Sequence, residues 1–157
     1  MKHLKSQVVL LAFVLLLGIA AVNAEDDGPW FDMANCDFCV NLTTDPSLLP
    51  SMTWEHFILD NGMMTVTTYK PEVAESYGKC MTMMEEVGKK MEKGEAVKMC
   101  NYCKGYGALM QAGVKFEYHS FTNGDVMLAT SNDPVVIEQI HKFAHKTMDE
   151  YAKMSQM

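Results

Sequence analysis

The chain has 157 residues and a formal net charge of −7. That length fits one domain behind a short leader, with a core large enough to fold without covalent staples. The acid excess repels phosphate backbones and argues against a nucleic-acid partner, and the sequence carries neither a glycine-rich phosphate loop nor a nucleophile elbow.

Residues 1–24 read as an export signal. Lys2, His3 and Lys5 make a basic start, Val8 to Ala21 is almost wholly apolar, and Val22-Asn23-Ala24 offers small residues at the cleavage positions before Glu25. The apolar run is shorter than the ~20 residues of a spanning helix. The alternative is an uncleaved N-terminal anchor; after cleavage no stable membrane anchor is expected. Removing Lys2 and Lys5 takes the charge from −7 to −9. The expected location is outside the cytoplasm, periplasmic or secreted, in a single domain spanning 25–157.

Glu25 to Ala34 is an acidic lead-in with Trp30 and Phe31 as docking points. Cys36 to Leu49 follows as a short helical or turn region, broken at Asp45-Pro46. Thr53–Leu59 and Met63–Tyr69 alternate as strands around Asp60-Asn61-Gly62, a strong hairpin signal. Glu72 to Glu92 is a helix, because Val73, Tyr77, Cys80, Met84, Val87 and Met91 recur at spacings of four and three. Gly94 ends it.

The pattern then returns. Val97 to Ala112 reads as a helix, Val114–Phe121 and Asp125–Thr130 as strands around Thr122-Asn123-Gly124, and Ser131 to Pro134 as the cap of a last helix running through Tyr151. Trp54-Glu55 aligns with Phe116-Glu117, Asn61-Gly62 with Asn123-Gly124, and Pro71 with Pro134. The expectation is α+β: two tandem α-β-β-α repeats, about 36–92 and 98–154, sharing one four-stranded antiparallel sheet covered by helices.

Each half opens on the same signature, Cys36-x-x-Cys39 and Cys100-x-x-Cys103. A bridge inside one pair closes a tiny loop worth only ~2 kcal/mol, whereas a bridge between pairs closes about 65 residues and is worth ~4 kcal/mol. The spacing suits metal knuckles or redox centres better than staples. Four thiolates from two knuckles make a closed tetrahedral site for zinc, and soft thiolates also suit copper(I). The knuckles lie farther apart than in an ordinary zinc ribbon. His141, His145 and Met148 share a stripe of the last helix and are second-choice ligands; the competing view places both histidines on a solvated edge.

Fifteen methionines are the other anomaly. Met84 and Met91 belong to the core stripe, where Met fills gaps; Met81 and Met83 fall off it and would suit copper handling. Cys80, mid-stripe, reads as a buried small hydrophobe. Asn41-Leu42-Thr43 fits a glycosylation sequon. The leading expectation is an exported, non-catalytic metal-binding protein with a metal ion as partner and another exported protein as a further candidate. A thiol–disulfide oxidoreductase is the first alternative, although the residues between the cysteines are not its usual ones. A disulfide-stapled interaction module without metal is the second.

Overall fold

The computed structural model describes residues 28–154; the leader assigned to 1–24 lies outside them. The architecture is α+β, with a four-stranded antiparallel sheet and three α-helices. The strands are β1 (Met52–Leu59), β2 (Gly62–Tyr69), β3 (Lys115–Phe121) and β4 (Gly124–Thr130), in the order β1-β2-β4-β3. The helices are α1 (Ala74–Glu92), α2 (Asn101–Gln111) and α3 (Pro134–Met154), with short 3-10 turns at Cys39–Thr43, Leu49–Ser51 and Pro71–Val73. No helix among the described residues is long and apolar enough to cross a membrane.

Both hairpins close through two-residue loops, Leu59 pairing with Gly62 and Phe121 with Gly124. The Asn-Gly signal therefore located the turns correctly, but the glycines serve a different purpose. Each is the first residue of a central strand with no left-handed φ, and a Cβ on Gly62 would sit 2.0 Å from the carbonyl oxygen of Ala129. The missing side chain is what lets β2 and β4 approach. Left-handed glycines stand instead after the helices, at Gly94 (φ 77) and Gly113 (φ 78), where they terminate α1 and α2.

The inward face of the sheet carries Met63, Met127 and Ala129, packed against Leu109 of α2 and against Ile140, Phe143 and Ala144 of α3. In α3 the buried residues Ile140, Phe143, Ala144 and Thr147 follow i, i+3, i+4, i+7, so one stripe docks and the rest stays wet. A second cluster joins Leu48, Val73, Tyr77 and Cys80. It lies under the start of α1, where Tyr77 stacks on Tyr69 with ring centroids 4.3 Å apart. Cys80 is fully buried there, as its place in the stripe implied. Met91, at the far end of that stripe, is exposed; the helix has by then run past the elements that cover its earlier turns.

One helix is shorter than its sequence suggests. Val97 to Cys100 is not helical, and α2 begins at Asn101. The competing interaction is a two-way clasp: Asp37 N–H donates to Lys98 O (2.9 Å), and the Asp37 side chain accepts from Lys98 N–H through Oδ2 (2.9 Å). That pairing holds Lys98 in place before the helix, so Cys100 becomes the N-cap residue rather than part of the first turns. The lead-in then satisfies orphan donors of the helix start, since Tyr102 N–H reaches Trp30 O at 2.9 Å.

Candidate metal centre

Four side chains meet where the lead-in, the first 3-10 turn and the N-terminus of α2 converge. Cys36 comes from the loop just before the turn, Cys39 from its first residue, Cys100 from the N-cap position and Cys103 from the first turn of α2. Cys36 Sγ lies 3.6 Å from Cys103 Sγ, Cys39 Sγ lies 3.6 Å from Cys100 Sγ and 3.8 Å from Cys103 Sγ. All four sulfurs are within 4.8 Å of one another. Sulfurs at about 2.3 Å from a tetrahedral zinc ion stand about 3.8 Å apart, the edge of that tetrahedron. A disulfide would need about 2.05 Å, and none of the five cysteines is bridged.

The environment is dry. Cys36, Cys39 and Cys100 are buried and Cys103 is half-buried, with Met33, Phe38 and Tyr102 packed around them. Tyr102 also contacts Trp54 (5.1 Å) and Phe31 (5.4 Å), so an aromatic wall shields one side. The sulfurs interact strongly. Cys100 is held below the usual thiol range, first by hydrogen bonds from Cys103 and Cys39, then by the backbone N–H groups of Cys103 and Asp32 aimed at its sulfur. Cys103 is pushed well up by its bonds to Cys100 and Cys39 and by burial. Cys39 is raised by its bond to Cys100 and by burial, against an opposing effect of Cys103. A crowded set of this kind holds several thiolates at once only when a cation neutralises them.

The N–H groups at Cys100 are what a metal-bound thiolate requires, because a buried sulfur anion needs donors beyond its cation. Cys103 supplies one from its own helix turn. Asp32 supplies the other because its carboxylate folds the lead-in back, accepting from the N–H groups of Ala34 (3.1 Å) and Asn35 (2.9 Å). In the sequence Asp32 carries only the weak signal of an Asx-type turn four residues before a cysteine. Trp30 and Phe31 do dock, as expected of the lead-in.

Neither His141 nor His145 belongs to the sulfur cluster. His141 Nε2 is 2.9 Å from Leu59 O, His145 is exposed and Met148 is half-buried on the same helix. Asn41 is not a free acceptor for a glycan: it is buried, and its amide donates to Asp37 O (2.8 Å) and Phe38 O (3.0 Å), bracing the first knuckle. The donor set fits a soft ion. Tetrahedral S4 selects zinc or iron–sulfur chemistry, and thiolates also take copper(I). Compared with protein-family models, with curated proteins and with solved structures, the chain matches none.

Proposed function

We propose that this is an exported, non-catalytic protein that binds one soft metal ion through Cys36, Cys39, Cys100 and Cys103. The observation that carries this is the separation of 3.6–3.8 Å between sulfurs of different pairs, brought together from positions more than sixty residues apart. Four protein thiolates would fill a tetrahedral shell and leave no position open for substrate, which favours a structural or storage role over hydrolysis. Zinc is the first choice. Copper(I) buffering is the second, supported by the soft sulfur of Met81, which is 40% exposed on α1. Export rests on the leader pattern of residues 1–24.

The chain is also read as a duplication, and the pairing supports it. Adding 62 to each residue of the β1–β2 register from Thr53↔Thr68 to Leu59↔Gly62 reproduces the β3–β4 register from Lys115↔Thr130 to Phe121↔Gly124. The same shift exchanges Tyr69 N–H to Asn123 O with Ser131 N–H to Asn61 O, both 3.0 Å. Exchanging the two knuckles likewise turns the Cys36–Cys103 contact into the Cys39–Cys100 contact, each 3.6 Å. One shared ion between the halves is the economical use of that symmetry.

Purification of the processed chain under anaerobic conditions, with metal content and thiol reactivity measured together, tests this. One ion per chain and four thiols that become reactive on adding a chelator are expected. Metal-free protein with two disulfides would overturn it and return the chain to the stapled-module alternative.

A further inference from the structure

The sheet has a face that the core clusters do not use. Met63, Met127 and Ala129 point into the helix layer, so strand alternation turns Met64, Val66, Val126 and Leu128 the other way. Met64 pairs with Leu128 and Val66 with Val126, which makes a contiguous apolar square on the two central strands. Phe57, opposite Met64, extends it onto β1 and is 43% exposed; Phe121, opposite Gly124, extends it onto β3 and is 48% exposed. The inward neighbours Met63 and Ala129 are fully buried, whereas the four outward residues are only half-buried. A one-sided antiparallel sheet normally turns polar residues to water. This one turns Met, Val, Val and Leu at its centre, with Thr53, Thr68 and Thr130 toward its ends.

We propose that this face is a dimer interface on which a second copy of the chain stacks sheet to sheet. Two features choose that occupant. The first is charge. Around the square stand Glu55, Glu117, Lys115 and His119, with Lys115 and Glu117 already paired at 2.7 Å, so the face carries one uncompensated negative charge, Glu55, on a chain of net charge −7. Two such faces approach with less repulsion than the rest of the surface would impose. Glu55 and His119 also end the same cross-strand row, Glu55–Val66–Val126–His119. A two-fold axis along the strands sets Glu55 of one copy against His119 of the other.

The second feature is size. Four strands about 4.8 Å apart and seven residues long at about 3.4 Å each cover roughly 450 Å² in projection. Two such footprints sum to about 900 Å², below the ~1,200 Å² of stable specific interfaces and within the range of weak, transient ones. A weak, concentration-dependent dimer follows, with the sheets about 10 Å apart.

Sedimentation equilibrium of the purified processed chain over a wide concentration series reads this directly. A monomer–dimer equilibrium is expected for the wild type, with Val66→Glu and Leu128→Glu each weakening association by at least ~10-fold through a buried unpaired charge. Metal content and near-UV circular dichroism should stay unchanged in both variants. Should either variant misfold, Phe57→Ser and Phe121→Ser at the exposed corners give the same reading. A chain that stays monomeric throughout, or a dimer that all these variants leave intact, overturns the proposal. So does a monomer whose binding to lipid vesicles is lost on Val66→Glu. The interface does not depend on the sulfur site, so its failure leaves the metal proposal standing.

Discussion

Gly62 and Gly124 hold equivalent places at the starts of the two central strands. A Cβ on the first would lie 2.0 Å from Ala129 O, and one on the second 2.2 Å from Thr67 O. Both contacts are to backbone of the neighbouring central strand, so neither can be relieved by turning a side chain. Gly62→Ala and Gly124→Ala should each destabilise the fold by ~1–3 kcal/mol or more, as overpacking does. Gly107→Ala, where a Cβ meets nothing within 4 Å on α2, should instead stabilise by ~1 kcal/mol through helix propensity. Denaturant midpoints of the three variants check the contrast.

The hairpins show what the sequence made legible. Alternation and Asn-Gly turns located all four strands to within a residue or two, because both signals are local. The pairing of β2 with β4 follows only from the two hairpins being laid side by side, and no single segment encodes it. The start of α2 is not legible in the sequence because Lys98 is held by Asp37, sixty-one residues away, and a long-range clasp leaves no trace in a helical window. The four cysteines and a site shared between them are legible in the spacing of the two pairs; the approach of all four sulfurs to within 4.8 Å of one another is set by tertiary structure. His141 and His145 lie on a correct helix stripe, yet same-face spacing says nothing about distance to a sulfur on another element.

Tyr77 O–H donates to Asp125 Oδ2 at 2.6 Å, tying α1 to β4. Burial, and then this bond to Asp125, push the phenol well above its ordinary range, so it stays a donor at all working pH values. Tyr77→Phe removes the donor and leaves a half-buried carboxylate with one partner fewer. A loss of ~1–3 kcal/mol is expected, read by denaturant unfolding, with metal content unchanged.

His56 should make stability depend on pH. Its Nδ1 is 2.8 Å from Thr65 Oγ1, Nε2 is buried with no protein partner, and burial lowers its pKa from 6.5 to about 4. The unfolded chain therefore takes up a proton below about 6.5 while the folded chain stays neutral down to about 4. Stability from this group is complete above pH 6.5 and falls as the pH drops toward 4, by a total on the order of 2–3 kcal/mol. His56→Gln should flatten that part of the profile, measured as the difference from wild type across the same pH series.

Cys80 supplies the control for the sulfur site. It is fully buried among Leu48, Val73 and Tyr77, and burial pushes its thiol up to about 11. Cys80→Ala should leave metal content intact and cost ~1 kcal/mol in packing. Cys36→Ser or Cys103→Ser should instead lower metal affinity by orders of magnitude. Because structural zinc contributes ~10–16 kcal/mol in small peptides, those variants should lose much of their thermal stability. Calorimetry with and without a chelator distinguishes the two classes.

X-ray absorption at the metal edge of the purified, metal-loaded chain is the most direct test. Four sulfur scatterers at about 2.3 Å, with no nitrogen or oxygen in the shell, are expected of Cys36, Cys39, Cys100 and Cys103 closing on one zinc ion. A shell dominated by nitrogen or oxygen, or a chain that takes up no metal while holding sulfur–sulfur bonds of about 2.05 Å, would contradict it.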